Sequence, residues 1–406
     1  MLSDLRPLAG LAAKLNGTIA AMAELELSVV IPALNEERTI AHCVAKAQKA
    51  LAALGAPGEV VVADNGSTDR TREVAEGLGA RVIAVDGKGY GKALRGGFAA
   101  ARGKYLIMGD ADGSYDFEQA PRYVEKLREG HDFVVGNRYK GEIEPGAMPF
   151  LNRYLGTPVL TAVMNLLFRT GIGDTNCGMR GLTKSAFERM GLKADGMEFA
   201  TEMIVKASLL KMKIAEVPCD LHKDLRDRPP HLRRWRDGWR HLRFMLLFSP
   251  TGTFLFPGAL LLFLGALGLA AVAGRDVLAP DAAAWLGSRH ILTSLLFWLT
   301  GTSVLGLGIV AQEADYQERF DADNQVVAFL HRTFSLEKGL MIGAGLIVAG
   351  LLALAYFPLS YYFGLFPMGG ETVRLDFAVI AIALVLTGVQ CAFASFALGL
   401  FYLRVK

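Results

Sequence analysis

Polar and apolar positions alternate with two different periods along this chain. Between residue 25 and about residue 245, short apolar runs are separated by charged segments of helical period, the pattern of a soluble α/β sequence. From Thr253 onward four long apolar stretches follow, Thr253–Ala273, Ile291–Val310, Leu340–Phe363 and Phe377–Leu403, with almost no charge inside them. Each reaches the ~18–20 residues that a membrane helix needs, and a buried bundle in a soluble protein rarely supplies four such stretches. The chain therefore reads as an extension over 1–24, a soluble α/β domain over 25–221, a basic amphipathic juxtamembrane segment over 222–250 and a transmembrane region over 251–406. Its membrane helices are expected at about 253–273, 291–311, 340–363 and 377–403.

In the first part, Leu27–Ile31 predicts a buried parallel strand that ends at Pro32, and a helix opens at Asn35-Glu36-Glu37 with acids in its first turn. Glu59–Ala63 predicts a second strand running into the polar turn Asp64–Asp69, with a helix from Arg70. A third strand, Arg81–Val85, leads through the glycine loop Gly87–Gly91 into a helix over Lys92–Ala101. The fourth, Tyr105–Met108, ends in Gly109-Asp110-Ala111-Asp112. Such alternation predicts a Rossmann-like, mostly parallel, doubly wound sheet, whose ligands sit beyond the carboxyl ends of the strands. Asp64, the glycine loop and the Asp110/Asp112 pair all fall there.

Composition sharpens the division. The 406 residues are 52% hydrophobic and 20% charged, which excludes a disordered chain. The mean hydropathy of +0.31 is the average of a soluble domain and four membrane stretches. Cys43, Cys177, Cys219 and Cys391 form no metal-ligand spacing and suit a reducing compartment. Met1–Ala23 lacks the core of a signal peptide, and Met22 offers a second translation start.

A net charge of +3 does not call for nucleic acid as a partner, but it conceals a local excess. His222–Phe248 holds Arg226, Arg228, Arg233, Arg234, Arg236, Arg240 and Arg243. Leu232, Trp235, Trp239, Leu242 and Leu246 fall on one helical face, as in a helix lying among lipid headgroups. Arginines at 233, 234 and 236 with Trp235 and Trp239 are therefore candidates for membrane and lipid-phosphate contact. Arg319, Arg332 and Lys338 in the middle loop and Arg404 and Lys406 at the end extend the bias. By the positive-inside rule the soluble domain, the middle loop and the C-terminus face the cytoplasm, so the chain is expected in a cell inner membrane with both termini cytoplasmic.

Asp110 and Asp112 flank one residue at a strand end, so a cation between them would relieve their repulsion. Mg²⁺ or Mn²⁺ suits one or two carboxylates plus phosphate oxygens. The glycine loop does not fit a dinucleotide fingerprint. Its small residues leave room for a nucleotide, with Lys88, Lys92 or Arg95 near for phosphate charge.

Taken together, SVVIPALNEERTI (28–40), ADNGSTDRT (63–71), GYGKALRGG (89–97) and DADGSYD (110–116) resemble the family 2 glycosyltransferases of GT-A fold. GNRY (136–139), DTNCGMRG (174–181), EMIVKA (202–207) and AEVP (215–218) make the chain look most like the polyprenyl-phosphate group, the dolichol-phosphate mannose or glucose synthases. The resemblance covers about residues 27–220. It implies that Asp64 faces the nucleotide base, with Pro32, Asn35 and Glu36 beside it. Gly89, Gly91, Lys92, Arg95, Asp110 and Ala111 would complete the nucleotide-sugar site, and Asp110 and Asp112 would hold the metal and diphosphate. Ser114 stands where the mannose synthases often have Gln, which leaves the third metal ligand to water. Arg138 and Arg180 would hold the lipid phosphate, unless they are ion-paired structural arginines.

The implied reaction is an inverting transfer, in cell-envelope glycan synthesis, from UDP-glucose, GDP-mannose or a similar donor to undecaprenyl or dolichyl phosphate. A lipid phosphate, with its second pKa near ~6, attacks without a strong base. Glu198 and Glu202 share a helical face and serve either acceptor binding or structure. His231–Trp235 comes close to the QxxRW motif of polysaccharide synthases, so a hydroxyl acceptor, with Glu202 as base, is the second reading. A transporter is a third, disfavoured by the lack of ionisable residues in the apolar stretches. The resemblance also brings a homo-oligomer into play, through membrane helices that assemble between protomers.

Overall fold

The computed structural model describes residues 25–226, 234–278, 288–319, 336–363 and 371–404. The chain forms two compact units divided between Met245 and Leu246. The first is built on a seven-stranded sheet of order β3-β2-β1-β4-β6-β5-β7. Its strands are β1 (Leu27–Ala33), β2 (Gly58–Asp64), β3 (Arg81–Ala84), β4 (Tyr105–Met108), β5 (Phe133–Asn137), β6 (Arg180–Thr183) and β7 (Ile214–Pro218). Strands β1 to β4 run parallel, and β6 alone is antiparallel to its neighbours β4 and β5. Leu27, Val29, Val30, Ile31, Val61, Val62, Leu106 and Ile107 are fully buried, as continuous Val/Ile/Leu runs require when both faces are covered. Helices α1 (Ile40–Leu54), α2 (Thr71–Gly77), α3 (Tyr90–Ala100), α4 (Ala120–Arg128), α5 (Thr157–Phe168), α6 (Lys184–Met190) and α7 (Phe199–Leu209) connect the strands.

Two local departures from the sequence expectation have physical causes. Strand β1 continues through Pro32 to Ala33, because β4 pairs with it only as far as Val30 and makes no demand on the missing N–H. Helix α1 starts at Ile40, not at Asn35. Asn35 takes a left-handed φ of 57°, and the next two amides donate to Thr71 Oγ1 (2.7 Å) and Asp69 Oδ2 (3.2 Å). Those bonds to the turn after β2 replace the first helical turn.

An amphipathic helix α8 (Arg234–Leu247) follows, with Trp239 57% exposed and Met245 buried. Arg236 is exposed; Arg233 and the side chains of Arg234 and Trp235 lie outside the described residues, as does the 1–24 extension.

The second unit consists of α9 (Phe256–Leu278), α10 (Ser288–Arg319), α11 (Leu336–Phe363) and α12 (Glu371–Arg404). The stretches Thr251–Val272, Arg289–Ala314, Leu336–Tyr356 and Asp376–Leu400 are long and apolar enough to cross a membrane. Helices α9 and α10 are antiparallel and touch at glycines: a Cβ on Gly258 would meet Leu305 N at 2.9 Å, and one on Gly265 or Gly301 would overlap the backbone of Trp298 or Leu262. Helices α11 and α12 repeat this through Gly343, Gly350 and Gly388. Close backbone approach of this kind is how helices associate where there is no hydrophobic drive. Polar side chains join α10 to α12: Trp298 Nε1 donates to Thr387 Oγ1 (2.8 Å), and Gln390 Nε2 to Ser303 Oγ (2.8 Å).

Candidate active site

The ends of β1, β2 and β4 gather the acids of the first unit. Asp64 closes β2 and is fully buried, accepting bonds from Gly66 N (3.1 Å), Ser67 N (3.2 Å) and Arg72 Nε (2.6 Å). Burial alone would raise its pKa; the bonds from Ser67, Arg72 and Gly66 outweigh it and hold the carboxyl below its ordinary value. Asn35 Oδ1 accepts from Thr68 N at 2.8 Å, which joins the Pro32–Glu36 segment to the same turn.

At the end of β4, Asp110 accepts from the hydroxyl of the half-buried Tyr90 at 2.8 Å. Burial, then the neighbouring Asp112, pushes its carboxyl up to about 7. Ala111 is buried between them. Asp112 Oδ1 accepts from Ser114 N (2.9 Å) and Ser114 Oγ (2.6 Å), so Ser114 orients the second aspartate. Among the described residues, no group of three His, Cys, Asp or Glu is arranged to hold a metal. The pair nonetheless fits a hard divalent ion. Desolvation and the Asp112 charge, which raise the Asp110 carboxyl, are what a dication would relieve, and such ions complete their shell with phosphate and water.

Arg226, which the sequence assigned to the membrane collar, sits in this acidic cluster. Its Nη2 donates to Asp112 Oδ2 (2.8 Å), its Nη1 to Glu36 Oε1 (3.2 Å) and its Nε to Asp224 Oδ1 (2.9 Å). Local sequence gave no signal for this, because Arg226 and Asp112 lie 114 residues apart.

The glycine loop is occupied by the protein itself. A Cβ on Gly89 or Gly91 would overlap the carbonyl of Asp195 or Ala194. Gly91 N donates to Asp195 O at 3.0 Å, Arg95 Nη2 to Asp195 Oδ1 at 2.9 Å, and Lys92 Nζ lies 3.5 Å from Asp195 Oδ2. These glycines admit the 194–195 backbone, and Lys92 and Arg95 fix that loop; Lys88 is exposed.

Residues 28–191 match the model described as glycosyl transferase family 2, and residues 309–402 match the glycosyltransferase family 2 C-terminal transmembrane region. The low-salt glycan biosynthesis hexosyltransferase Agl6 of Haloferax volcanii is 39% identical over 92% of this chain and 88% of its own length. The chain belongs to glycosyl transferase family 2. A dolichyl-phosphate hexose transferase of the same organism is 31% identical over 48% of this family 2 chain and 81% of that protein. An undecaprenyl-phosphate 4-deoxy-4-formamido-L-arabinose transferase of Klebsiella pneumoniae is 26% identical over 71% of this chain and 87% of that one. The crystal structure of glucosyl-3-phosphoglycerate synthase from Mycobacterium tuberculosis with Mn²⁺, UDP and phosphoglyceric acid overlays with a TM-score of 0.43 at 25% identity, covering 56% of this chain and 78% of that one.

The remaining candidates of this family 2 site differ in availability. Arg138, at the end of β5, gives Nε (2.6 Å) and Nη2 (2.9 Å) to buried Asp174, which leaves Nη1 without a protein partner among the described residues. Arg180 is fully buried, and its Nε and Nη2 donate to the carbonyls of Cys177 and Thr175, both at 2.9 Å, and its Nη1 to that of Ala200. Burial lowers its pKa. Glu202 is 2% exposed and accepts from Lys193 N (2.9 Å), Ala194 N (2.8 Å) and Lys206 Nζ (2.7 Å). Arg180 thus braces the 175–177 segment against α7, and Glu202 holds the loop that fills the glycine turn.

Helix α5 and the π-helical turn Asn152–Gly156 that leads into it present an apolar surface for which the sequence carried no expectation. Phe150, Leu151, Tyr154, Leu155, Val159 and Leu166 are all exposed, Leu166 at 79%. Leu151, Leu155, Val159 and Leu166 recur at helical spacing, which makes the outward face apolar. The signal was present as 3.6-residue periodicity, but it is the same signal that a core-facing helix gives.

Proposed function

We propose that this chain is an inverting hexosyltransferase that moves a sugar from a nucleotide diphosphate to a polyprenyl phosphate at the cytoplasmic face of a cell inner membrane. The single observation that carries the choice of acceptor is the engagement of Glu202. A hydroxyl acceptor needs a general base, and the carboxylate at hand is bonded to two backbone amides and a lysine. A phosphate acceptor is already anionic and needs neutralisation and alignment instead. Arg138, oriented by Asp174, supplies a free guanidinium nitrogen for it. Relatives whose names record dolichyl- and undecaprenyl-phosphate transfer support the same class.

Asp110 and Asp112 would hold Mg²⁺ or Mn²⁺, which when bound neutralises the leaving diphosphate. The turn organised by Asp64, Asn35 and Glu36 borders the base. Tyr90 keeps Asp110 aimed, Ser114 keeps Asp112 aimed, and Arg180 and Glu202 act by positioning. The exposed apolar face of α5 and the Trp-bearing α8 support work at a bilayer surface, where the acceptor resides. The test is incubation of the purified full chain with labelled UDP- and GDP-sugars and undecaprenyl or dolichyl phosphate. A labelled, acid-labile lipid is expected; label found only in a glycan or lipid hydroxyl product would overturn the acceptor assignment.

A further inference from the structure

The chain from Asp220 to Arg226 lies across the aspartate turn. His222 N donates to Ser114 O (2.9 Å), Leu225 N to Asp112 O (3.0 Å), and Leu225 packs on Gly113. This strap delivers Arg226 to Asp112 Oδ2 at 2.8 Å, with only 14% of its side chain exposed. The other oxygen of Asp112 is already taken by Ser114. Arg226 therefore holds the carboxylate oxygen that a divalent ion at this site would require.

We propose that Arg226 is a built-in competitor of the divalent cation, so that free metal is refused and metal enters together with the nucleotide diphosphate. The inference rests on the metal-dependent nucleotide-sugar reading above. Charge decides the direction. A free dication would have to strip Arg226 from Asp112 while offering the guanidinium no new anion. A metal–diphosphate complex brings its own: Arg226 passes Asp112 to the metal and takes diphosphate oxygens, for which its fork is suited. The guanidinium keeps its number of anionic partners in the second exchange and loses one in the first. The same residue that excludes premature metal then adds to neutralisation of the leaving group, remaining tethered by Asp224, whose Oδ2 lies 2.7 Å from Nη2.

Binding of Mn²⁺ to the full chain in detergent, followed by its paramagnetic resonance signal with and without UDP, tests this. The unmodified protein is expected to bind Mn²⁺ alone weakly and roughly tenfold or more tightly with UDP, with UDP gaining the same factor from Mn²⁺. Arg226→Gln should bind Mn²⁺ alone about tenfold more tightly and lose most of the UDP effect, and Arg226→Lys should fall between the two. Should Arg226→Gln fail to fold, Arg226→Lys decides: its affinity for Mn²⁺ alone must exceed that of the unmodified chain. Mn²⁺ affinity unchanged in these variants, with UDP-dependent binding intact, overturns the inference alone. No Mn²⁺ binding in any protein even with UDP overturns it together with the metal reading.

Discussion

Arg138 and Asp174 form a buried two-pronged pair, with Nε at 2.6 Å and Nη2 at 2.9 Å from the two carboxylate oxygens. The pair fixes the plane of the guanidinium and commits two of its nitrogens, so the third is presented in one orientation. Removing the arginine outright would leave Asp174 charged and buried, at a cost of about 3–5 kcal/mol. Arg138→Lys is the cleaner probe. It keeps the charge and loses the fork, so the KM for polyprenyl phosphate should rise roughly tenfold while the donor KM holds. A donor KM that rises equally would place Arg138 on the nucleotide instead.

Glu202→Gln separates the two acceptor classes. As a loop anchor, Glu202 contributes through Lys206 and two amides, and the variant should lose about 1–3 kcal/mol of stability with the shape of the pH–rate profile unchanged. A general base in that position would cost about 100- to 10,000-fold in kcat and flatten the acidic limb of the profile.

The raised carboxyl of Asp110 predicts how stability follows pH. Its ordinary value is 3.8, and burial with Asp112 beside it pushes it to about 7. A carboxyl raised in the folded state contributes stability that is full below its ordinary range and is lost as pH rises through about 7. Melting temperatures of the donor-free protein should therefore fall from acidic to mildly basic pH, and Asp110→Asn should remove most of that slope. Mn²⁺ with UDP should raise the unmodified protein's melting temperature at basic pH and leave Asp110→Asn unchanged.

The apolar face of α5 predicts a defect specific to lipid. Each exposed leucine moved from water into the headgroup boundary is worth about 1.5–3 kcal/mol at full burial. Leu155→Glu with Leu166→Glu should lower transfer to long-chain polyprenyl phosphate in vesicles at least roughly tenfold and spare a short, water-soluble prenyl phosphate. Equal loss with both acceptors would assign the face to protein stability.

How much of this was legible in the sequence depends on the range of the interaction. Apolar runs ended by acids placed Asp64, Asp110 and Asp112 at strand ends, because a parallel sheet sends its ligand-facing residues to the carboxyl edge. The membrane unit announced itself by length alone. The 194–195 backbone that packs on the glycine loop is about a hundred residues away in the chain, so no local pattern pointed to it. Arg226 was read with its arginine neighbours, although its partners are Glu36 and Asp112. Asp174 carried no pattern by itself and gains meaning only from Arg138.

The glycines of the membrane unit have a bearing on how it is assembled. Gly258 and Gly265 on α9, Gly301 and Gly308 on α10, and Gly343 and Gly350 on α11 each stand seven residues apart. Seven residues are close to two helical turns, so each seam runs nearly along its helix axis and lets two sequence-adjacent helices close like a zip. The polar clasp of Trp298 with Thr387 and of Ser303 with Gln390 works instead between the two zips. Biogenesis then has a natural order. Each helical hairpin can leave the translocation machinery already closed on its own glycines, and hydrogen bonding afterwards chooses which hairpin docks on which.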